Sequence, residues 1–162
     1  MERIVLLFAA GLLASAAHAG KMTVPADASP AYAKECGECH VAFPPALLAA
    51  SDWQTVMANL DKHYGDNAAI ADEIQREITD FLVRSAGSDR RTAGATPMRE
   101  TLPRLTATSW FRHEHRRVPN SIWSGKQVRR AANCSACHTR AEQGSFRERE
   151  IRMPGDARRE HN

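Results

Sequence analysis

Cys36-Gly37-Glu38-Cys39-His40 and Cys134-Ser135-Ala136-Cys137-His138 hold all four cysteines of this 162-residue chain. Each stretch sets two thiols three residues apart and puts an imidazole directly after the second. At this chain's cysteine and histidine content, two such pentads arise by chance in roughly one sequence in 10⁵. On one turn of helix the two thiols can add to the vinyl groups of one porphyrin, and the histidine that follows points its ring at the iron. The pattern predicts two covalently attached c-type haems, one on Cys36 and Cys39 with His40 on its iron, the other on Cys134 and Cys137 with His138. Rival uses of the cysteines fit less well. Two local disulfides leave both histidines unexplained. A zinc site would draw two Cys-x-x-Cys pairs together, and here 94 residues separate them. A thioredoxin-like motif wants one pair between a strand and a helix.

Haem attachment of this kind takes place outside the cytoplasm, and the start of the chain points the same way. Arg3 precedes an apolar run from Ile4 to Ala17, followed by Ala17-His18-Ala19 with small residues where a signal peptidase reads. Residues 1–19 are therefore expected to be a removed export signal, because 14 apolar residues fall short of the roughly 20 needed to span a bilayer. No later stretch is apolar enough to cross, so a soluble periplasmic protein without membrane insertion is expected. Aromatic residues make up 6% of the chain and charged ones 25%, a thin supply for a core that a large apolar cofactor would complete.

Charge divides along the chain: residues 21–87 carry 5 basic and 10 acidic side chains, residues 88–162 carry 16 and 8. The basic half is not read as a nucleic-acid surface, since its arginines alternate with glutamates, as in Phe146-Arg147-Glu148-Arg149-Glu150. A solvated face with an electrostatic docking patch is expected instead.

The expected fold is mostly α-helical, two small haem-binding lobes packed around two haems: a segment 20–87, a linker or wrapping loop 88–106, and a segment 107–162. Ser29-Pro30 opens a helix that delivers Cys36, and Phe43-Pro44-Pro45 breaks it. Ser51 is read as the cap of a second helix whose inner face runs Trp53, Val56, Met57, Leu60 and on to His63. Gly65-Asp66-Asn67 leads to a third helix with the stripe Ile70, Ile74, Ile78, Phe81 and Leu82, closed by Gly87. Residues 110–117 and, over a longer stretch, 121–134 read as helices, the latter turning Ile122, Trp123, Val128 and Ala131 or Ala132 inward. Phe43, Trp53, Trp110 and Trp123 are read as haem-pocket packing.

A haem that only passes electrons needs a sixth ligand, since an open position invites oxygen or peroxide chemistry. The candidates are His63, 23 residues after His40; His113 and His115, of which only one can reach a given iron; and His161. His115 lies 23 residues before His138. Methionine competes: Met57 reads as core, while Met98 and Met153 lie in loops.

The chain resembles the small diheme cytochrome c family of bacterial respiratory and photosynthetic electron-transfer chains. The resemblance rests on Glu35 to His40 followed by Ala42-Phe43-Pro44-Pro45, on Trp53 leading to Leu60-Asp61-Lys62-His63-Tyr64-Gly65, on Trp110-Phe111 leading to His115, and on Asn133 to Thr139 with Ala141-Glu142 and Gly144. It implies two bis-histidine haems with His63 and His115 at the distal positions. It also implies electron donation to a high-spin, oxygen-binding c-type cytochrome, with a membrane b-type cytochrome as a further partner. Tyr64 stands where phenylalanine is common, and His113 adds an imidazole beside His115. Pairing by nearness joins His40 with His63 and His138 with His115. Two other functions remain weighed against the carrier: a small diheme enzyme of peroxidase type with one open iron, and a haem-based sensor.

Overall fold

The computed structural model of the chain describes residues 24–96 and 102–155. The export signal expected at residues 1–19, together with Met98 and His161, lies outside them. Six helices follow in order: α1 (Pro30–Gly37), α2 (Ala50–Met57), α3 (Asp72–Arg84), α4 (Asp89–Thr92), α5 (Ser109–Glu114) and α6 (Asn120–Trp123). Short 3-10 turns link them. Among the described residues there is no strand, and two isolated bridges join His63 to Asp66 and His138 to Ile151. No helix of the described residues is long and apolar enough to cross a membrane.

The N-terminal half is built around α3. Its spacing puts Ile78, Phe81 and Leu82 on one face, all within 1% of full burial, and that face packs against α2 and α1. From α2 come Trp53, Val56 and Met57, and from α1 Tyr32, whose ring lies 4.9 Å from Phe81. Leu105 and Phe111 join the same buried cluster, so the residues between and after the two pentads pack on the first half.

Several boundaries differ from the sequence reading. Helix α2 starts at Ala50 with Ala49 as its cap, and Ser51 lies inside the first turn. Asp52 explains the shift, because its carboxylate accepts the Ala49 amide at 3.4 Å and satisfies the helix start from the third position. The helix ends at Met57, so His63 is not on its face; it follows a 3-10 turn at Leu60–Lys62. Ile70 precedes α3 rather than lying on it. Helix α3 ends at Arg84 with Ser85 as its cap, and Gly87 serves a close approach instead: a Cβ there would stand 2.2 Å from the Ala46 carbonyl oxygen. The long helix expected over 121–134 does not form. It stops at Trp123, and Arg129 adopts a left-handed φ of 61° that no helix accommodates. Val128 is still buried, whereas Ala131 and Ala132 are exposed.

Candidate haem sites

At the first pentad the Ser29 hydroxyl accepts the Tyr32 amide at 3.1 Å and Pro30 opens α1, which carries Cys36 in its last turn. Buried Tyr32 donates its hydroxyl to the Phe43 carbonyl, and the buried Trp53 indole donates to the Pro45 carbonyl at 2.7 Å. These two bonds fix the chain that leaves the pentad. Phe43 is thereby stacked on His40, ring centres 4.6 Å apart and planes 17° off parallel. The His40 Nδ1 lies 2.8 Å from the Val41 carbonyl oxygen. A carbonyl only accepts, so Nδ1 carries the proton and Nε2 presents a lone pair, the arrangement metal-binding histidines use.

The turn after Leu60–Lys62 brings His63 to face it. The His40 and His63 rings are 6.3 Å apart with planes 19° from parallel. The His63 Nδ1 is buried without a hydrogen-bond partner. Burial, and next the neighbouring His40, hold its pKa below the usual histidine range, against an opposing pull from Asp66. The ring is thus kept in the neutral form that can bind a metal.

The second pentad lies in a 3-10 turn at Cys134–Ala136, closed by the His138 amide on the Cys134 carbonyl at 2.8 Å. The chain after Gly144 folds back over it, with the Arg152 amide on the Cys137 carbonyl at 2.8 Å. Helix α5, capped by the Thr108 hydroxyl accepting the Phe111 amide, delivers His115 at its C-terminal end. The His115 and His138 rings are 6.2 Å apart and 70° from parallel. His115 stacks on Phe111 at 4.0 Å, and its Nδ1 lies 2.9 Å from the Phe111 carbonyl oxygen, so here too Nε2 is the free lone pair. The His138 Nδ1 has no partner, and burial, then His115, lowers its pKa. His113 is exposed, and it is His115 that the fold brings to His138.

A cavity of about 980 Å³ surrounds this second pair, with Cys134, Cys137, His115, His138, Trp110, Trp123 and Phe146 in its wall. Pro44 and Leu47, from the chain just after the first pentad, also line it. No disulfide joins the four cysteines, and burial pushes the Cys36 and Cys134 thiols up to about 11.

A metal held between two imidazoles at bonds of roughly 2.0–2.1 Å puts the ring centres about 6 Å apart, which both pairs match. Among the described residues no group of three or more His, Cys, Asp or Glu side chains could hold a bare ion. Each pair would supply two imidazole nitrogens to one metal-bearing group. A sequence profile of the family described as dihaem cytochrome c matches residues 32–146. The chain belongs to the dihaem cytochrome c family.

Solved structures agree. The diheme cytochrome c of Shewanella baltica is 31% identical, with a TM-score of 0.66 over 78% of this chain and 93% of that one. Two structures of the diheme cytochrome c of Rhodobacter sphaeroides are each 33% identical, with TM-scores of 0.64 and 0.62 over 76% of this chain and 99% of theirs. No curated protein matches the chain. The cytochrome carries two haem c groups, which supply one-electron iron chemistry when bound. Its cofactor content is what the pentads predicted, and its helical architecture is what the apolar spacing along the chain predicted. Pro44, Leu47 and Phe146 are among the pocket residues that local sequence reading missed. The first two reach the second cavity across some 90 residues of chain, and Phe146, whose ring lies 5.4 Å from His138, sits in a stretch dominated by charge.

Proposed function

We propose that this electron-transfer cytochrome is an exported periplasmic carrier in which His40 and His63 close one iron and His138 and His115 close the other, through thioether anchors at Cys36, Cys39, Cys134 and Cys137. The observation that carries the reading is the pair of imidazole spacings, 6.3 and 6.2 Å. With both axial positions filled, oxygen and peroxide find no vacant site, and the protein's work reduces to holding the rings, excluding water and choosing partners. Pro44 and Leu47 give the second cavity a wall drawn from the first segment, which favours electron exchange within the molecule.

The proposed acceptor is a high-spin, oxygen-binding c-type cytochrome, with a membrane b-type cytochrome as a further partner. Docking is assigned to charge. Between residues 112 and 130 six basic side chains are exposed against one acidic one, Glu114, and this same stretch walls the second cavity. Such a surface steers an acidic partner in a salt-dependent way. A peroxidase would need one iron with a free position and an acid-base group beside it; the two matched pairs argue against that reading.

Stopped-flow mixing of the reduced protein with a ferric high-spin c-type cytochrome tests the proposal. Second-order electron transfer that slows with ionic strength is expected, with no carbon monoxide binding. Peroxide-dependent oxidation of donor dyes at enzymatic rates would show an open iron and overturn it.

A further inference from the structure

We infer that Tyr64 is a positioning residue that clamps His63 against the first iron, an inference that rests on the ligation proposed above. Tyr64 sits in the left-handed region at φ 51°, where bulky residues are genuine outliers and persist when surrounding contacts over-determine them. Three contacts do so. The Tyr64 hydroxyl donates to the Pro103 carbonyl, 39 residues away in sequence. The Arg104 guanidinium lies over the Tyr64 ring at 4.7 Å. The edge of the Tyr64–His63 pair closes at 4.7 Å between ring centres, 72° from parallel.

The anchor itself is firm. Pro103 is fully buried and Leu102 is 8% exposed, while the Arg104 amide is bonded to the Ala95 carbonyl at 2.6 Å. Tyr64 is 37% exposed, so it contributes little as core filling. Its geometry instead links the distal-ligand turn to a fixed strip of chain.

His63 needs that link more than His115 does. His115 ends a capped helix and holds its own ring through Nδ1 and the Phe111 carbonyl. His63 lies outside any helix, its Nδ1 bonds to nothing, and a flexible Gly65 at φ 107° follows Tyr64. Tyr64 supplies from the next residue the restraint that Phe111 supplies from the helix. Releasing it should loosen the first distal ligand and leave the second unchanged.

The two irons can be read separately. Near-parallel imidazole planes, as at 19°, split the iron d orbitals and give a rhombic paramagnetic resonance signal, whereas planes at 70° leave them nearly degenerate and give a far more anisotropic one. The test is cyanide binding to the ferric holoprotein, followed iron by iron at those two signals, in wild type, Tyr64→Phe and Arg104→Met. Tyr64→Phe keeps the ring and removes the tie to Pro103, and should speed cyanide entry at the rhombic iron roughly three- to tenfold. Arg104→Met should give roughly two- to fivefold. The second iron is the internal control and should not change. Unaltered rates in both variants, or an equal increase at both irons, would overturn the clamp. A wild-type protein with no rhombic bis-imidazole signal would instead overturn the ligation on which the clamp rests.

Discussion

At the first candidate site the pentad imidazole is the braced one, with His40 Nδ1 on the Val41 carbonyl and His63 Nδ1 without a partner; at the second the imidazole facing the pentad is braced, with His115 Nδ1 on the Phe111 carbonyl and His138 Nδ1 without one. The same five-residue motif is thus supported in opposite ways. At the first site α1 and the Tyr32 and Trp53 bonds hold the covalently tethered side, and the distal arm is a turn. At the second the tethered side is a 3-10 turn, and the distal arm is a capped helix. The difference teaches that the backbone carbonyl fixing an Nδ1 can stand on either side of a site, under the pentad histidine or under the one that faces it. It also predicts that equivalent changes at the two sites will not have equivalent effects.

The largest contrast concerns the anchors. After Phe111 the buried apolar side chains among the described residues are Val128 and Ala141, against a cavity of about 980 Å³. The second haem must therefore stand in for a core. Cys134→Ala/Cys137→Ala should halve the covalent haem measured as pyridine haemochrome and unfold the C-terminal segment by hydrogen exchange. Cys36→Ala/Cys39→Ala should halve the haem equally while α2 and α3 stay protected around Ile78, Phe81 and Leu82. Equal protection losses would break the contrast. Within the first half, Phe81→Ala should cost about 3–5 kcal/mol in urea unfolding, since it empties a fully buried ring site. Trp53→Phe removes the indole donor from the Pro45 carbonyl, which keeps the Leu48 amide at 3.3 Å, and should cost about 0.5–1.5 kcal/mol. The smallest effect belongs to the surface: Arg116→Glu/Arg117→Glu should slow association with an acidic partner several-fold at low salt and lose that effect at high salt. An effect that persisted at high salt would point to a contact other than charge.

Much of this was readable in the chain because the covalent chemistry is local. A pentad occupies five residues, the Ser29-Pro30 start of α1 is a local capping signal, and the α3 stripe repeats at helical spacing, so each was visible without knowledge of the fold. The placement of His63 was legible in kind and not in detail: its proximity to His40 was expected, yet it arrives on a turn and not on the face of α2, because the helix ends at Met57 and a 3-10 turn at Leu60–Lys62 carries the chain on to it. The expected helix over 121–134 failed for a similar reason. Its apolar spacing was real, but Val128 is buried from a turn next to left-handed Arg129. What no local pattern carried are the long-range contacts, namely Pro44 and Leu47 in the second cavity and the Tyr64 tie to Pro103. These follow from how α1, α3 and the 102–105 strip pack, and sequence spacing does not encode that packing.

The central claim is that each iron is closed by the histidine facing it. Magnetic circular dichroism of the ferric protein, recorded beside His63→Ala and His115→Ala with paramagnetic resonance on the same samples, tests it most directly. The account predicts two bis-imidazole irons in the wild type, loss of the rhombic signal alone in His63→Ala, and loss of the strongly anisotropic signal alone in His115→Ala. A histidine–methionine band or a high-spin iron in the wild type, or the two losses exchanged between the variants, would contradict it.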